Sequence, residues 1–561
     1  MRGALTVALA LIVLGADGTP ASAVEGAFEP RLFRVPNAED VEDADAVFID
    51  IHPEYRVRAI HIDPLDLSGV EVRAISWFEQ RLRVDSTFAL PGVGGIFVQA
   101  DILDGVLFGD NGRFGTEPHV NSGVGLASKQ PNLSGWEMGL MDPDRETDPE
   151  AYGPILRSID PLRINFLYGE VRFPFGILRI GRQPITETGA MAVNDGRSHR
   201  NRWGASTYHQ AADRILFGTK ISELFRMMVE GDSYIPDRSM ERGVTLGLVY
   251  DFLVEDDLAD FADDMHMVAM QLAWRCDDEA ILGPLWHDIV ASATLVYRWD
   301  ERYGSKVFAL PIRAAFSLEK LDVFAEFSVI SGESREISSG FAELTGEAVS
   351  DQEILSYGAR LTLDYQLSDF TFTAQWGYAS GDEDPSPSSA QTTTTWPRDT
   401  NLGLLLFEHV LAFQSARSAA IGIQALKERG ADSFPLSEVA TEGRVTNVNA
   451  LFPQIAWEPL DGLQVKLGAL FAWSASATVD PIQSLLRKDG ETIEDDLVNY
   501  NGGKPAHYWG TEFDIGVRYR YRQFFQAVLE AAYLLPGPGL QDENGDAVPA
   551  WMLETRFMFS L

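Results

Sequence analysis

Arg518, Arg520 and Arg522 stand two residues apart in "TEFDIGVRYRYRQ", interleaved with Val517, Tyr519 and Tyr521 and preceded by Phe513 and Ile515. In an extended chain, successive side chains point to opposite faces, so the three guanidiniums share one face and the apolar residues the other. A row of fixed cations of this kind can select anionic or polyhydroxylated solutes by electrostatics alone. The same parity adds Glu512 and Asp514 to the row, and it pairs Glu170 with Arg172, Arg360 with Asp364, Gln99 with Asp101 and Glu554 with Arg556. Arg179 and Lys466 fall on the polar faces of their own strands. A cation at mid-depth in lipid costs about 2–4 kcal/mol, so these residues are expected to face a lumen. Two readings of this mixed wall stay open: a water-filled conduit with a field across it, or a plugged lumen in which the charges pair.

Other chemistry leaves little trace. The chain has nine His residues but no HExxH, GxSxG or GxxxxGK[ST] pattern. "STYHQ" sets Ser206 three residues before His209; a serine hydrolase needs a tertiary dyad that this spacing does not specify, and polar loop residues account for it. "GDEDP" (381–385) and "DENGD" (542–546) are carboxylate clusters that could hold Ca²⁺, but neither has the full EF-hand spacing. Asp256, Asp257, Asp260, Asp263 and Asp264 read as surface charge. No cofactor and no other metal are expected.

The elements that must position the charged row follow from composition and period. With 45 Lys+Arg against 83 Asp+Glu, the net charge of −38 argues against a nucleic-acid partner. A mean hydropathy of −0.08 despite 45% hydrophobic residues fits a soluble protein or an alternating barrel. "MRGALTVALALIVLGADGTPASA" has the layout of a secretory signal over residues 1–23, with an apolar run too short to cross a membrane as a helix. The lone Cys276 excludes an intramolecular disulfide framework.

From about Val70 onward the dominant period is two. Strands are expected near 75–87, 95–107, 162–173, 177–184, 214–221, 224–232, 242–253, 265–276, 289–299, 309–319, 321–331, 356–367, 370–380, 444–457, 463–474, 510–522, 525–535 and 551–561. Most run about 10 residues or more, near the length that crosses a bilayer at a tilt and longer than usual for a sandwich. Aromatic residues gather at strand ends (Tyr297/Trp299, Trp376/Tyr378, Phe471/Trp473), as interfacial girdles require. The expected fold is all-β, a transmembrane antiparallel up-and-down barrel of about 18 strands over 70–561, with 24–69 a periplasmic segment or first strand region. Turns 173–176, 367–369, 459–462 and 521–524 should be periplasmic, and the long segments 108–160, 185–213, 332–355, 381–443, 475–509 and 536–550 extracellular. The up-down order breaks between 214 and 320, with "VEDDLADFADDM" the suspect stretch. "NLGLLLFEHVLAF" (401–413) reads as a short lumen helix or another strand. In "WMLETRFMFSL", Leu553, Phe557 and Phe559 should face lipid, with Glu554 and Arg556 in the lumen.

Several stretches together resemble the porin-like outer-membrane barrels of the alginate export family. "LYGEVRFPFGILRIGRQPI" looks like that family's strand, tight turn and "GRQ" strand, with Gly181, Arg182 and Gln183 in the motif. "WGYASGDEDP" looks like its strand running into an acidic loop, with Gly381 and Asp382, and Gly510, Glu512 and Asp514 match its "G-x-E-x-D" strand. The resemblance implies a monomeric barrel of the bacterial outer membrane passing a polar solute, with Arg172, Arg179, Arg518, Arg520 and Arg522 able to guide a polyanion. Arg182 departs from this by having the opposite parity to Arg179, so one of the two lies at a rim, at a bulge or outside the lumen. The strongly acidic chain and segments 108–160 and 185–213 depart as well, which favours a general or anion-tolerant porin over export of alginate-like polysaccharide. A barrel with a structural or loop-borne enzymatic role is the third class. Expected partners are outer-membrane lipid and lipopolysaccharide, the barrel assembly machinery, and a small polar or anionic solute.

Overall fold

The computed structural model describes residues 46–67, 74–109, 136–138, 154–156, 160–185, 201–205, 211–231, 242–253, 265–276, 285–336, 348–384, 388–397, 399–415, 443–478, 506–542 and 544–561, with Tyr234, Gly283, Ser338, Ser339, Ala342 and Thr441 between them. The signal region, Ser206, His209 and the five aspartates of 256–264 lie outside the described residues.

The strands are β1 (Phe48–Asp63), β2 (Ile75–Leu90), β3 (Gly94–Gly109), β4 (Trp136–Met138), β5 (Pro154–Leu156), β6 (Asp160–Phe173) and β7 (Gly176–Pro184). There follow β8 (Ala211–Lys220), β9 (Gly243–Leu253), β10 (Met265–Cys276), β11 (Trp286–Trp299), β12 (Lys306–Leu318), β13 (Leu321–Ser334) and β14 (Gln352–Leu367). The last are β15 (Phe370–Ala379), β16 (Val448–Leu460), β17 (Leu463–Ser474), β18 (Tyr508–Tyr521), β19 (Phe525–Pro536) and β20 (Ala550–Ser560). The small β4–β5 pair stands apart; the other 18 strands form one sheet in which each is antiparallel to its sequence neighbours. β1 pairs with both β2 and β20, so the sheet closes.

Alternation is what drives this closure. On β18, Phe513 and Ile515 are 47% and 48% exposed, whereas Glu512 and Asp514 are buried at 0% and 3%. Leu167, Ile180, Ile215, Leu272, Leu295 and Ile312 continue an exposed apolar belt on other strands. Water does not tolerate such a belt around a whole molecule, and lipid does not tolerate an open sheet edge. A closed barrel with an apolar exterior meets both conditions, as barrels of the bacterial outer membrane do. Aromatic girdles mark the belt's edges: Tyr297–Trp299 and Trp376–Tyr378 stack at one end, and Phe173–Phe175 at the other.

Two expectations need correction. Residues 224–232 are not a strand; Ile221–Glu230 forms an α-helix, α1. Ile221, Leu224, Phe225, Met228 and Val229 recur with helical spacing, which a period-two reading mistakes for strand. With α1 at the short-turn end, β8 and β9 are consecutive antiparallel strands and the up-down order is unbroken. The missing strand is β1, inside the 24–69 stretch. The strand runs unbroken through Pro53, but its inner face changes from Arg56 and Arg58 to Ile60 and Ile62, where protein packs on it, so the sequence shows no steady polar–apolar alternation.

The closing strand behaves as its pattern indicates. Glu554 and Arg556 are buried while Leu553, Phe557 and Phe559 take the opposite face. Tyr55 of β1 lies across from Phe559, the Leu561 amide donates to the Pro53 carbonyl at 3.1 Å, and Phe559 packs on Phe524 and Phe525. Deleting Phe559–Leu561 should lower the yield of folded barrel several-fold, read as loss of the heat-modifiable band; an unchanged band would show that closure does not need these contacts.

Candidate functional site

Two inward segments fill part of the lumen. Trp396 and the run Leu402–Ser415, which includes a π-helix at Leu406–Leu411, are buried against β1, β2 and β15–β20. The run is mostly apolar because protein surrounds it. Gly377 on β15 makes room for this segment: a Cβ there would lie 2.8 Å from the Trp396 ring and 2.9 Å from Leu402. The second segment is 201–205. Its Trp203 ring sits over the Lys466 ammonium at 4.0 Å, occupies space left by Gly468 and Gly516, and donates from Nε1 to Gln454 at 2.9 Å. Arg202 bonds Asp364, and its carbonyl accepts from Lys466.

Glu512 fastens the first segment to the wall. Its Oε1 accepts from the amides of Leu404 and Leu405 at 2.6 and 2.9 Å, and its Oε2 from that of Leu406 at 2.7 Å. These are the amide donors that the start of a helix leaves unsatisfied, and a carboxylate also complements the positive end of the helix dipole. Gly403 lets the chain reach this cap, with φ +75 and no Cβ to meet Glu512 Oε1 at 2.6 Å. At the far side of the run, Asn401 donates to Glu408 at 3.1 Å, Arg58 Nη1 lies 3.9 Å from Glu408, and Gln414 donates to the Asp66 carbonyl at 2.8 Å.

The charged wall is extensively paired. Glu170 accepts from Arg172 and Arg179, each at 2.8 Å, and Arg179 also lies over the Tyr168 ring. Lys466 reaches Glu530 at 2.6 Å; Arg556 reaches Glu554 at 2.6 Å and Glu530 at 3.5 Å. Arg360 is buried opposite Glu326, in reach of Gln375 and of the Trp396 ring. Asp514 is buried next to Glu512 on the same face. Arg520 donates to Gln526 at 3.0 Å, and Arg518 and Arg520 are half-buried toward the short-turn end, as are Arg172 and Arg179. Among the described residues the wall has the features of the plugged reading: the charges pair, and inward segments fill the side bounded by β1, β2 and β15–β20.

Other expected positions fall elsewhere. Arg522 does not line the wall; it is exposed in the turn 522–524 with φ +53, its guanidinium over Tyr521. Arg182 points outward and bonds Asp213 at 3.2 Å, while Gln183 and Arg179 take the inner face. Gln183 donates to the Arg214 carbonyl at 3.0 Å, and Gly181 pairs with Tyr168 at φ +123. Gly381 and Asp382 close a loop: Asp382 accepts the amides of Asp384 and Thr392 at 2.9 and 3.0 Å, and a Cβ on Gly381 would collide with Asn447. Asp542 likewise accepts the amides of Asn544 and Asp546 at 2.9 and 2.8 Å, and the Asp546 amide above all holds its carboxyl below the usual range.

Among the described residues, the densest group of buried cations lies on β1 and β2. Arg56 and Arg58 of β1 are buried, with Arg81 and Arg83 of β2 beside them. Arg56 is directly across from Arg81, and Arg58 directly across from Arg556. Cross-strand partners have Cβ atoms about 5 Å apart, and like charges there repel. Carboxylates offset part of this: Arg58 bonds Glu79 at 2.8 Å, Arg83 grips Asp101 through two 2.8 Å bonds, and Arg81 Nη2 donates to Glu54 at 2.9 Å. Arg81 Nε and Nη1 are buried and have no acceptor among the described residues. "YRVRAI" and "RLRVDS" carry the alternation that could have revealed this cluster.

No family model matches the chain, and no curated protein matches it in sequence. Solved structures similar to it include the outer membrane protein OprD from Pseudomonas aeruginosa, at 12% identity over 91% of this chain and 94% of that one, with a TM-score of 0.44. OccK9 (OpdG) of the same organism is 10% identical over 91% and 98% of the two chains, with a TM-score of 0.45. OpdK is 10% identical over 91% and 99%, with a TM-score of 0.42. The likeness is one of fold alone, and the resemblance to alginate export barrels rests on the quoted stretches of sequence.

Proposed function

We propose that the chain is a passive, porin-like channel of the bacterial outer membrane, non-enzymatic, that admits small polar and preferentially anionic solutes past the wall facing its inward segments. The observation that carries this is the facing of guanidiniums inside the closed barrel, Arg56 across from Arg81 and Arg58 across from Arg556, with two buried Arg81 donors lacking an acceptor among the described residues. These guanidiniums are buried in the wall, so a passing anion would feel their fixed positive field rather than bond to them. Lipopolysaccharide and phospholipid would surround the apolar belt, and the barrel assembly machinery would close β20 on β1. The sheet closes within one chain, so each copy can form a barrel by itself, and a monomer is the state proposed.

Planar-bilayer recordings test the reading. Discrete conductance steps with an anion-selective reversal potential are expected; no conductance would remove the channel, and strong cation preference would remove the anion selectivity. Neutralising Arg518, Arg520 and Arg522 together should move the reversal potential modestly toward cations, because two of the three are half-buried at the mouth and the third lies in a turn. An unchanged potential would take all three out of the filter. Export of an anionic polysaccharide is the second reading, motivated by the sequence resemblance; a polymer would have to displace the inward segment throughout its passage. A gene standing apart from polysaccharide biosynthesis would weigh against it.

A further inference from the structure

The connection between β8 and β9 is unlike the two- and three-residue turns that join β2 to β3, β6 to β7, β12 to β13, β14 to β15, β16 to β17 and β18 to β19 at the same end. It begins with α1, whose Phe225, Met228 and Val229 are 65%, 78% and 84% exposed. At about 100° per residue, Ile221, Leu224, Phe225, Met228 and Val229 fall within roughly 140° of the helix surface. The opposite flank is tied down: Glu223 is buried, accepts from the Tyr234 hydroxyl at 2.5 Å and lies 3.7 Å from Arg226. The helix is thus held with its polar flank engaged and its apolar flank outward.

The neighbouring surface says what covers that flank. α1 starts directly after β8, whose outward Phe217 contacts Phe175, itself stacked on Phe173, at 6.3 and 5.4 Å. Thr219, two residues before the helix, donates to the Phe175 carbonyl at 2.6 Å. These rings form the short-turn edge of the lipid-facing belt, so the helix departs at the level where hydrocarbon gives way to headgroups. Three large apolar side chains left in water beside that edge would be unfavourable, and the nearest apolar phase is the bilayer.

We infer that α1 is an interfacial anchor whose Phe225, Met228 and Val229 enter the headgroup–acyl boundary of the phospholipid leaflet at the short-turn end. This rests on the membrane-barrel reading, and the test separates the two. Full-length protein with Cys276→Ser carries a single environment-sensitive label at Val229→Cys, at Met228→Cys or, as a belt control, at Ile515→Cys. It is reconstituted in phosphatidylethanolamine–phosphatidylglycerol vesicles with nitroxide quenchers placed either near the headgroup or deep in the acyl chain. The α1 labels should shift to the blue and be quenched several-fold more by the shallow nitroxide, and Ile515→Cys more by the deep one. Quenching at Ile515→Cys alone overturns the anchor and leaves the barrel in the membrane; quenching at neither overturns both. Labels on α1 that instead crosslink to a second copy or to another protein also overturn the anchor.

Discussion

Glu512→Ala should raise single-channel conductance several-fold and make it noisy, because the carboxylate that holds the inward segment is gone. Three backbone amides donate to this one buried side chain, and hydrogen bonds to a charged group contribute about 1.5–3 kcal/mol each. Even with strong non-additivity, losing all three shifts the docked–undocked balance by roughly two orders of magnitude. The amides of Leu404, Leu405 and Leu406 would also be left buried without acceptors, which favours the undocked state further. Apolar contacts of Phe407, Val410 and Phe413 remain and should return the segment to its seat repeatedly, so fluctuation rather than a steady wide pore is expected. Glu512→Gln keeps one acceptor oxygen but sets an amide donor against the Leu406 amide, and an intermediate effect follows. Bilayer recording and influx of a bulky hydrophilic dye measure this. Wild-type conductance in a correctly folded Glu512→Ala protein would show that apolar packing alone seats the segment.

The second large effect concerns charge rather than size. Arg56→Gln with Arg81→Gln removes two cations that face each other across β1 and β2, and leaves Glu54, Glu79, Asp101 and Asp104 in relative excess. A unit charge about 8 Å from a permeating ion, at an effective dielectric of about 20, contributes on the order of 2 kcal/mol before screening. Screening by salt and by pore water reduces this, so a change on the order of ten-fold in the anion-to-cation permeability ratio is expected at low ionic strength. Raising the salt should shrink the difference from wild type. Arg58 is the wrong residue for this experiment, since Glu79, Glu408 and Glu554 all lie within ion-pair distance of it and its loss would leave buried carboxylates uncompensated. An unaltered reversal potential in the double variant would place the selective element elsewhere on the wall.

Legibility followed exposure to a uniform environment. β18 is readable because an apolar exterior lies on one face and a polar interior on the other, so exposure alternates strictly from Thr511 to Gly516. β1 was not, because its inner face changes surroundings along the strand: Arg56 and Arg58 meet carboxylates, while Ile60 and Ile62 meet the apolar inward segment. α1 reads as strand because six apolar residues in ten satisfy either period over so short a span. The run at 401–413 gave no decision between helix and strand, as a segment buried on all sides has no polar face to set a phase. Glu512 lies on the buried face of β18. Its bonds to amides 106–108 residues away in sequence had no local signature.

The pairing of β1 with β20 has a consequence for biogenesis. β1 supplies Arg58, Ile60 and Ile62 to the seat of the inward segment, Asp66 just beyond it receives Gln414, and β20 supplies Met552 and the Glu554 that faces Arg58. Half of that seat does not exist until the first and last barrel strands meet. A nascent barrel still open at this seam therefore holds its stopper only through β15–β19, Glu512 included, and the seat is completed by the same event that completes the cylinder.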